Sequence, residues 1–188
     1  MNKLVVWFVL IAVTLVVAVG AYWWVDLRWR PKTITKNQAE IAALLEQSGW
    51  VSPGLGGPKL YMVGFRDCHG CIAFKADALP KLVEAGVDTR VIEFARRDRN
   101  GLEQSTPAER ATIAELWLNR SWTLMQRWDA SPSAAWTAQG IPPADGDMAR
   151  TAVVEISRNT VDKLAPLMKA NGIAFGTPIL VWWDKAGV

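Results

Sequence analysis

Apolar residues are distributed along this chain in two distinct ways. From Leu4 to Val25 they run for 22 residues without a charge, about the length an α-helix needs to cross a hydrocarbon core. Beyond Val25 they recur at the spacings of folded elements. Ile41, Leu44 and Leu45 fall at helical intervals, and Asn37-Gln38-Ala39-Glu40 before them has the form of a capping box. Lys59 to Phe65 is a short apolar run of strand length. The stretch after the next few residues, Ile72 to Gly86, is helical in composition, with Pro80 predicting a kink. Val87 to Ala95 alternates apolar and polar residues, the pattern of a second strand. Strand, helix and strand in this order predict a βαβ unit.

The second half reads mainly as helix. Thr106-Pro107-Ala108-Glu109 combines a cap, a proline at the first helical position and an acid three residues after the cap. A helical stretch follows to about Gln139, interrupted at Ser131-Pro132, and Ile141 to Asp147 is a loop. Residues 148–170 are again helical, closed by Asn171-Gly172. Thr177-Pro178 then leads into a strand, Ile179 to Trp183, with turn chemistry from Asp184 to Gly187. The predicted architecture is α/β: a central mixed sheet, with a helical insertion from residue 106 to about 150. It divides into an N-terminal segment 1–25, a tether and short helix 26–58 broken at Pro31, and a domain over 59–188.

Composition narrows this only slightly. Hydrophobic residues at 51% and charged residues at 21% fit one globular domain plus an apolar segment and exclude a disordered chain. The net charge of +3 comes from scattered basic residues with no long run, so nucleic acid is not an expected partner.

The two cysteines change the picture more. They are the only ones in the chain and stand three apart, in Cys68-His69-Gly70-Cys71, where the first strand gives way to the helix. A loop this short gains little from cross-linking, because the entropy removed from the unfolded chain grows with loop size. The pair therefore reads as reactive. Disulfide exchange needs one thiolate to attack and a second thiol to release the mixed disulfide. A helix start favours a negative sulfur at its cap and holds a second cysteine one turn inside. Cys68 is the expected nucleophile and Cys71 the resolving thiol. His69 and Arg66 are expected to stabilise the Cys68 thiolate by their charge, with Asp67 opposing them. No cofactor is expected beyond the dithiol. A zinc site would need four ligands, and a haem site a histidine directly after Cys71, where Ile72 stands.

With strand, Cys-x-x-Cys and distant Thr-Pro together, the chain resembles the thioredoxin-like superfamily, and within it the catalytic domain of the DsbC/DsbG disulfide isomerases. The matching stretches are Phe65 to Gly101 and Leu167 to Gly187, separated by a helical insertion. The resemblance implies a cis peptide bond at Pro178, with the Thr177 backbone beside Cys68 as the loop that docks a substrate chain. It also implies protein thiols and disulfides as substrates. Three departures accompany it. Residues 26–58 are too few for the dimerisation domain of those isomerases. Met62 stands six residues before Cys68, where thioredoxins keep a buried acid, so the proton acceptor for Cys71 is not identified. The pattern also stops after the turn at residues 184–187, which leads to the expectation of a C-terminally incomplete domain with an uncovered face at Trp182-Trp183.

For the N-terminal segment the expectation is an uncleaved single-pass anchor with Tyr22, Trp23 and Trp24 at the interface; cleavage after Ala18-Val19-Gly20 is the rival reading. Lys3 before the segment and Arg28, Arg30, Lys32 and Lys36 after it place the domain in the cytoplasm by charge, whereas a redox pair behind a short anchor suits an oxidising compartment. The expectation adopted is the inner membrane, with the domain in the periplasm or extracytoplasmic space and a membrane redox partner resetting the pair. Two other classes stay open: a non-enzymatic envelope interaction module with a vestigial cysteine pair, and a metal-handling site built from Cys68, His69 and Cys71.

Overall fold

The computed structural model describes residues 3–29 and 31–184. It divides into two units, Met1–Thr33 and Ile34–Val188. The first holds one helix, α1 (Lys3–Trp29), so the helix runs past Val25 and ends just before Pro31. Its stretch Val6–Trp23, with mean hydropathy 2.3, is long and apolar enough to cross a membrane. The Thr14 hydroxyl donates to the Leu10 carbonyl at 2.8 Å, so the helix itself satisfies that polar group.

The second unit begins with α2 (Gln38–Gln47), whose Ile41 and Leu45 are fully buried, so this helix belongs to the domain core. The capping box predicted at Asn37 does not form. Asn37 is left-handed, with φ at 57°, and makes no side-chain cap. The reason lies upstream: the Thr35 and Lys36 N–H groups donate to Asn171 Oδ1 at 2.9 and 2.8 Å, which fixes how the chain enters the helix. Gln38 instead donates through Nε2 to the Ile34 carbonyl at 2.7 Å.

The sheet has three strands in the order β2-β1-β3. Strand β1 (Lys59–Gly64) runs parallel to β2 (Asp88–Glu93) and antiparallel to β3 (Ile179–Trp182), which makes the sheet mixed. Parallel strands need a crossover. Here it is α3 (His69–Ala73), a π turn over Phe74–Ala78 and α4 (Leu79–Glu84) in succession. In place of the kink expected at Pro80 the structure has this π turn, with the Leu79 N–H donating to the Phe74 carbonyl five residues back, and Pro80 falls in the first turn of α4.

The alternation in β2 does not translate into a solvent face: all six residues are buried. Helices cover both sides, as on the parallel part of an α/β sheet. Met62 and Val91 point into a core shared with Ile113, Leu116, Met125 and Trp128. Tyr61, Val63, Ile92 and Phe94 point the other way, against Ile41, Leu45, Leu164 and Met168.

The insertion comprises α5 (Pro107–Asn119), α6 (Trp122–Ala130) and a 3-10 turn at Ser133–Ala135, followed by α7 (Met148–Ala170). The Thr106 capping box forms as predicted: Thr106 N–H donates to the Glu109 carboxylate at 3.0 Å, and Glu109 N–H to Thr106 Oγ1 at 3.2 Å. Such a cap is worth about 1 kcal/mol. Ser121 and Asp147 cap α6 and α7 by their side chains alone, accepting from the Leu124 and Arg150 N–H groups. At the far end, β3 stops at Trp182, which is exposed, while Trp183 packs edge-on against Tyr61 with centroids 5.7 Å apart. The turn read over residues 184–187 lies, Asp184 apart, outside the described residues.

Candidate functional site

Cys68 is the N-cap of α3, with extended backbone, and its sulfur accepts the Cys71 N–H at 3.1 Å. The chain reaches this cap through a turn in which Cys68 N–H donates to the Phe65 carbonyl at 3.1 Å. The two cysteines are joined as a disulfide, their Cα atoms 5.1 Å apart. Cys71 is wholly enclosed and Cys68 is 5% exposed, so the outer sulfur belongs to Cys68, though it shows only a small area.

The Thr177-Pro178 loop faces this pair. Its peptide bond is cis. A Cβ placed on Gly70 would lie 2.8 Å from Pro178 Cδ and 3.6 Å from the Thr177 carbonyl oxygen. Gly70 therefore lets the loop approach the helix start more closely than any side chain would allow. Gly64 does the same beneath the pair, since a Cβ there would lie 2.6 Å from Cys71 Sγ.

The flanking residues divide. His69 is exposed beside the pair. Asp67 pairs with Arg96 at 3.6 Å, and Arg96 lies over the Phe65 ring at 4.7 Å. Arg66 does not turn toward Cys68. Its guanidinium is buried, bonds Asp129 at 3.2 Å and the Ser131 carbonyl, and stacks 5.1 Å from the Trp128 ring. Its charge is thus spent on α6.

Three residues that the sequence did not single out join it. Lys75 Nζ contacts Asp129 at 2.6 Å and Glu93 at 2.8 Å, with both Lys75 and Glu93 buried. Burial works against the Lys75 charge, but the two carboxylates outweigh it and raise its pKa. The result is an alternating line of charge, Arg66–Asp129–Lys75–Glu93, running from the site into the core. Beside it, a groove of about 780 Å³ opens between the active-site helix and α6, lined by Ile72, Leu79, Val83, Trp122 and Met125 among others. A lysine four residues after Cys71 and an acid at an alternating strand position were visible in sequence, but their convergence with Asp129 depends on how the insertion folds back. Among the described residues, no group of three or more His, Cys, Asp or Glu side chains is placed to hold a metal.

No protein-family model matches the sequence, and no curated protein matches it. Among solved structures, the chain is similar to a periplasmic thioredoxin-like protein from Salmonella enterica serovar Typhimurium, at 18% identity and a TM-score of 0.41, over 79% of this chain and 86% of that one. The architecture itself is the stronger finding. A parallel βαβ unit carries Cys-x-x-Cys at the start of its helix, and an antiparallel third strand is entered through a Thr-Pro loop that faces those cysteines. The domain has a thioredoxin-like fold.

Proposed function

We propose that this chain is a thiol:disulfide oxidoreductase acting on protein thiols and disulfides through Cys68 and Cys71. The observation that carries the reading is the disulfide at a helix start with the Thr177-Pro178 loop against it. A substrate thiolate attacks the Cys68 sulfur, the outer of the two, and displaces Cys71 as a thiolate; the resulting mixed disulfide is opened by a second substrate thiol or by return of Cys71. In the opposite direction reduced Cys68 attacks a substrate disulfide and Cys71 resolves it. His69, exposed beside Cys68, favours the thiolate when protonated. The loop at Thr177 and Pro178 holds the substrate backbone.

The apolar helix fits a single-pass anchor in the inner membrane, with the domain on the extracytoplasmic side, where disulfides persist, and a membrane redox partner to reset the pair. Trapping tests the chemistry. A Cys71→Ala variant accumulates mixed disulfides with other proteins, and Cys68→Ala does not; equal labelling of both variants, or of neither, refutes the assignment. Labelling of the reduced protein in intact cells with a membrane-impermeant maleimide tests the side of the membrane.

A further inference from the structure

Resolution of a mixed disulfide requires the buried Cys71 thiol to lose its proton. The position six residues before Cys68 is Met62, which cannot accept one. The sheet offers another group. Glu93 pairs in parallel register with Gly64. Registered neighbours in a sheet send their side chains to the same face. The face in question is the one on which a Gly64 Cβ would come within 2.6 Å of Cys71 Sγ. The Glu93 carboxyl thus rises one strand away from that sulfur, between Val91 and Ala95, which pack in the same core cluster as Cys71. Lys75 comes to the same space from the helix, one turn beyond Cys71.

Glu93 is built as an acceptor. Its side chain is 1% exposed, and Oε1 bonds Lys75 at 2.8 Å. Its second oxygen, Oε2, is buried and has no hydrogen-bond partner among the described residues. A buried carboxylate oxygen without a partner costs free energy that a proton or a thiol donor relieves. The charged and titratable groups bound to this cluster among the described residues are Lys75 from the π turn, Asp129 from α6 through Lys75, and Arg66 through Asp129.

Resting on the oxidoreductase reading, we propose that Glu93 is the general base for Cys71, with Lys75 shared between it and Asp129 as the positioning cation. In the step, the Cys71 S–H bond breaks and its proton passes to Glu93 Oε2. The Cys71 sulfur keeps the electron pair and attacks the Cys68 sulfur. The bond from Cys68 to the substrate sulfur breaks, and the substrate leaves as a thiolate. The Cys68–Cys71 disulfide is restored, and Glu93 returns its proton to solvent. Asp129 ties the insertion to this step, because it shares the Lys75 ammonium with Glu93.

The test reacts the reduced full-length chain with dithiobis(nitrobenzoate) across a pH series. The first nitrobenzoate thiolate is released by Cys68 and the second by Cys71, so the two steps are read separately. In Glu93→Gln the first release keeps its rate, while the second slows about 100-fold. Lys75→Met/Glu93→Gln, which leaves no unpaired charge between these positions, gives the same slow second release and guards against misfolding of the single variant, with circular dichroism as the check. A normal first release with a wild-type second release in both Glu93 variants overturns this inference and leaves the oxidoreductase reading standing. No first release from the wild-type protein overturns both.

Discussion

Replacing Gly70 by alanine separates the chemistry of the cysteines from the loop that faces them. The new Cβ lands 2.8 Å from Pro178 Cδ, whereas carbon atoms rest at about 3.5–4.0 Å. The two must part by at least roughly 0.7 Å. A proline ring cannot swing aside as a flexible side chain does, so the loop backbone or the helix start has to move. Overpacking of this kind costs about 1–3 kcal/mol. Against it stands a gain, since alanine is favoured over glycine in a helix by up to about 1 kcal/mol. Global stability therefore falls by at most about 3 kcal/mol, less than the roughly 5–15 kcal/mol that holds a domain folded. The loss falls on the docking loop instead. The expected result is a KM for a peptide disulfide raised on the order of tenfold, equivalent to about 1.4 kcal/mol. The kcat and the alkylation rate of reduced Cys68 stay near wild type. Urea titration gives the stability term and steady-state kinetics the other. An unchanged KM in a folded variant, or a collapse of Cys68 reactivity with KM intact, refutes the placement of the loop against Gly70.

Three further outcomes are expected. Gly64→Ala, whose Cβ would meet Cys71 Sγ at 2.6 Å, lowers stability by about 1–3 kcal/mol. The loss shrinks in a Cys71→Ala background, and equal losses in the two backgrounds speak against the contact. Lys75→Met leaves the Glu93 charge buried without its partner and destabilises by about 3–5 kcal/mol, and adding Glu93→Gln recovers most of it; chemical denaturation of the single and double variants decides. The third outcome concerns acid. Glu46 is held at about 2, below its ordinary 4.5, first by the Tyr61 hydroxyl and then by Arg90, with burial opposing. A depressed carboxylate stabilises the fold above pH 4.5 and loses that contribution as pH falls toward 2. Because Glu46 is half exposed, solvent screening keeps the effect small. Glu46→Gln flattens the acid limb of a urea-midpoint profile, and an unchanged limb counts against the cluster.

Much of the site was legible because it is local. Cys68 and Cys71 lie within one helical turn, and the strand before them is a continuous apolar run, so spacing alone places both at a strand-to-helix junction. The Thr106 cap is also local, and it forms as read. What the sequence does not show depends on contacts between distant segments. Asn37 has the composition of a cap, yet Asn171, more than a hundred residues away, dictates its backbone. The polar positions of β2 look like a solvent face, yet Arg90 pairs with Asp88 at 3.0 Å and Glu93 with Lys75 at 2.8 Å inside the domain. Arg66 reads as a neighbour of Cys68 because the two are close in sequence. Asp129 draws it to α6 instead, and no local pattern records that.

The π turn in the active-site helix carries a consequence of its own. Such a turn is an α-helix with one residue to spare. Each residue advances the helix by about 100°, so a single insertion re-phases everything on one side of it relative to the other. The stretch holding Cys71 and the stretch holding Leu79, both buried, are therefore aimed at the sheet independently. Wound as regular α-helix with every residue kept, Cys71 and Leu79 would stand about 80° apart around the axis, and one of those stretches would swing off its target. In this helix the irregular turn is what lets a reactive end and an anchoring end share one rod.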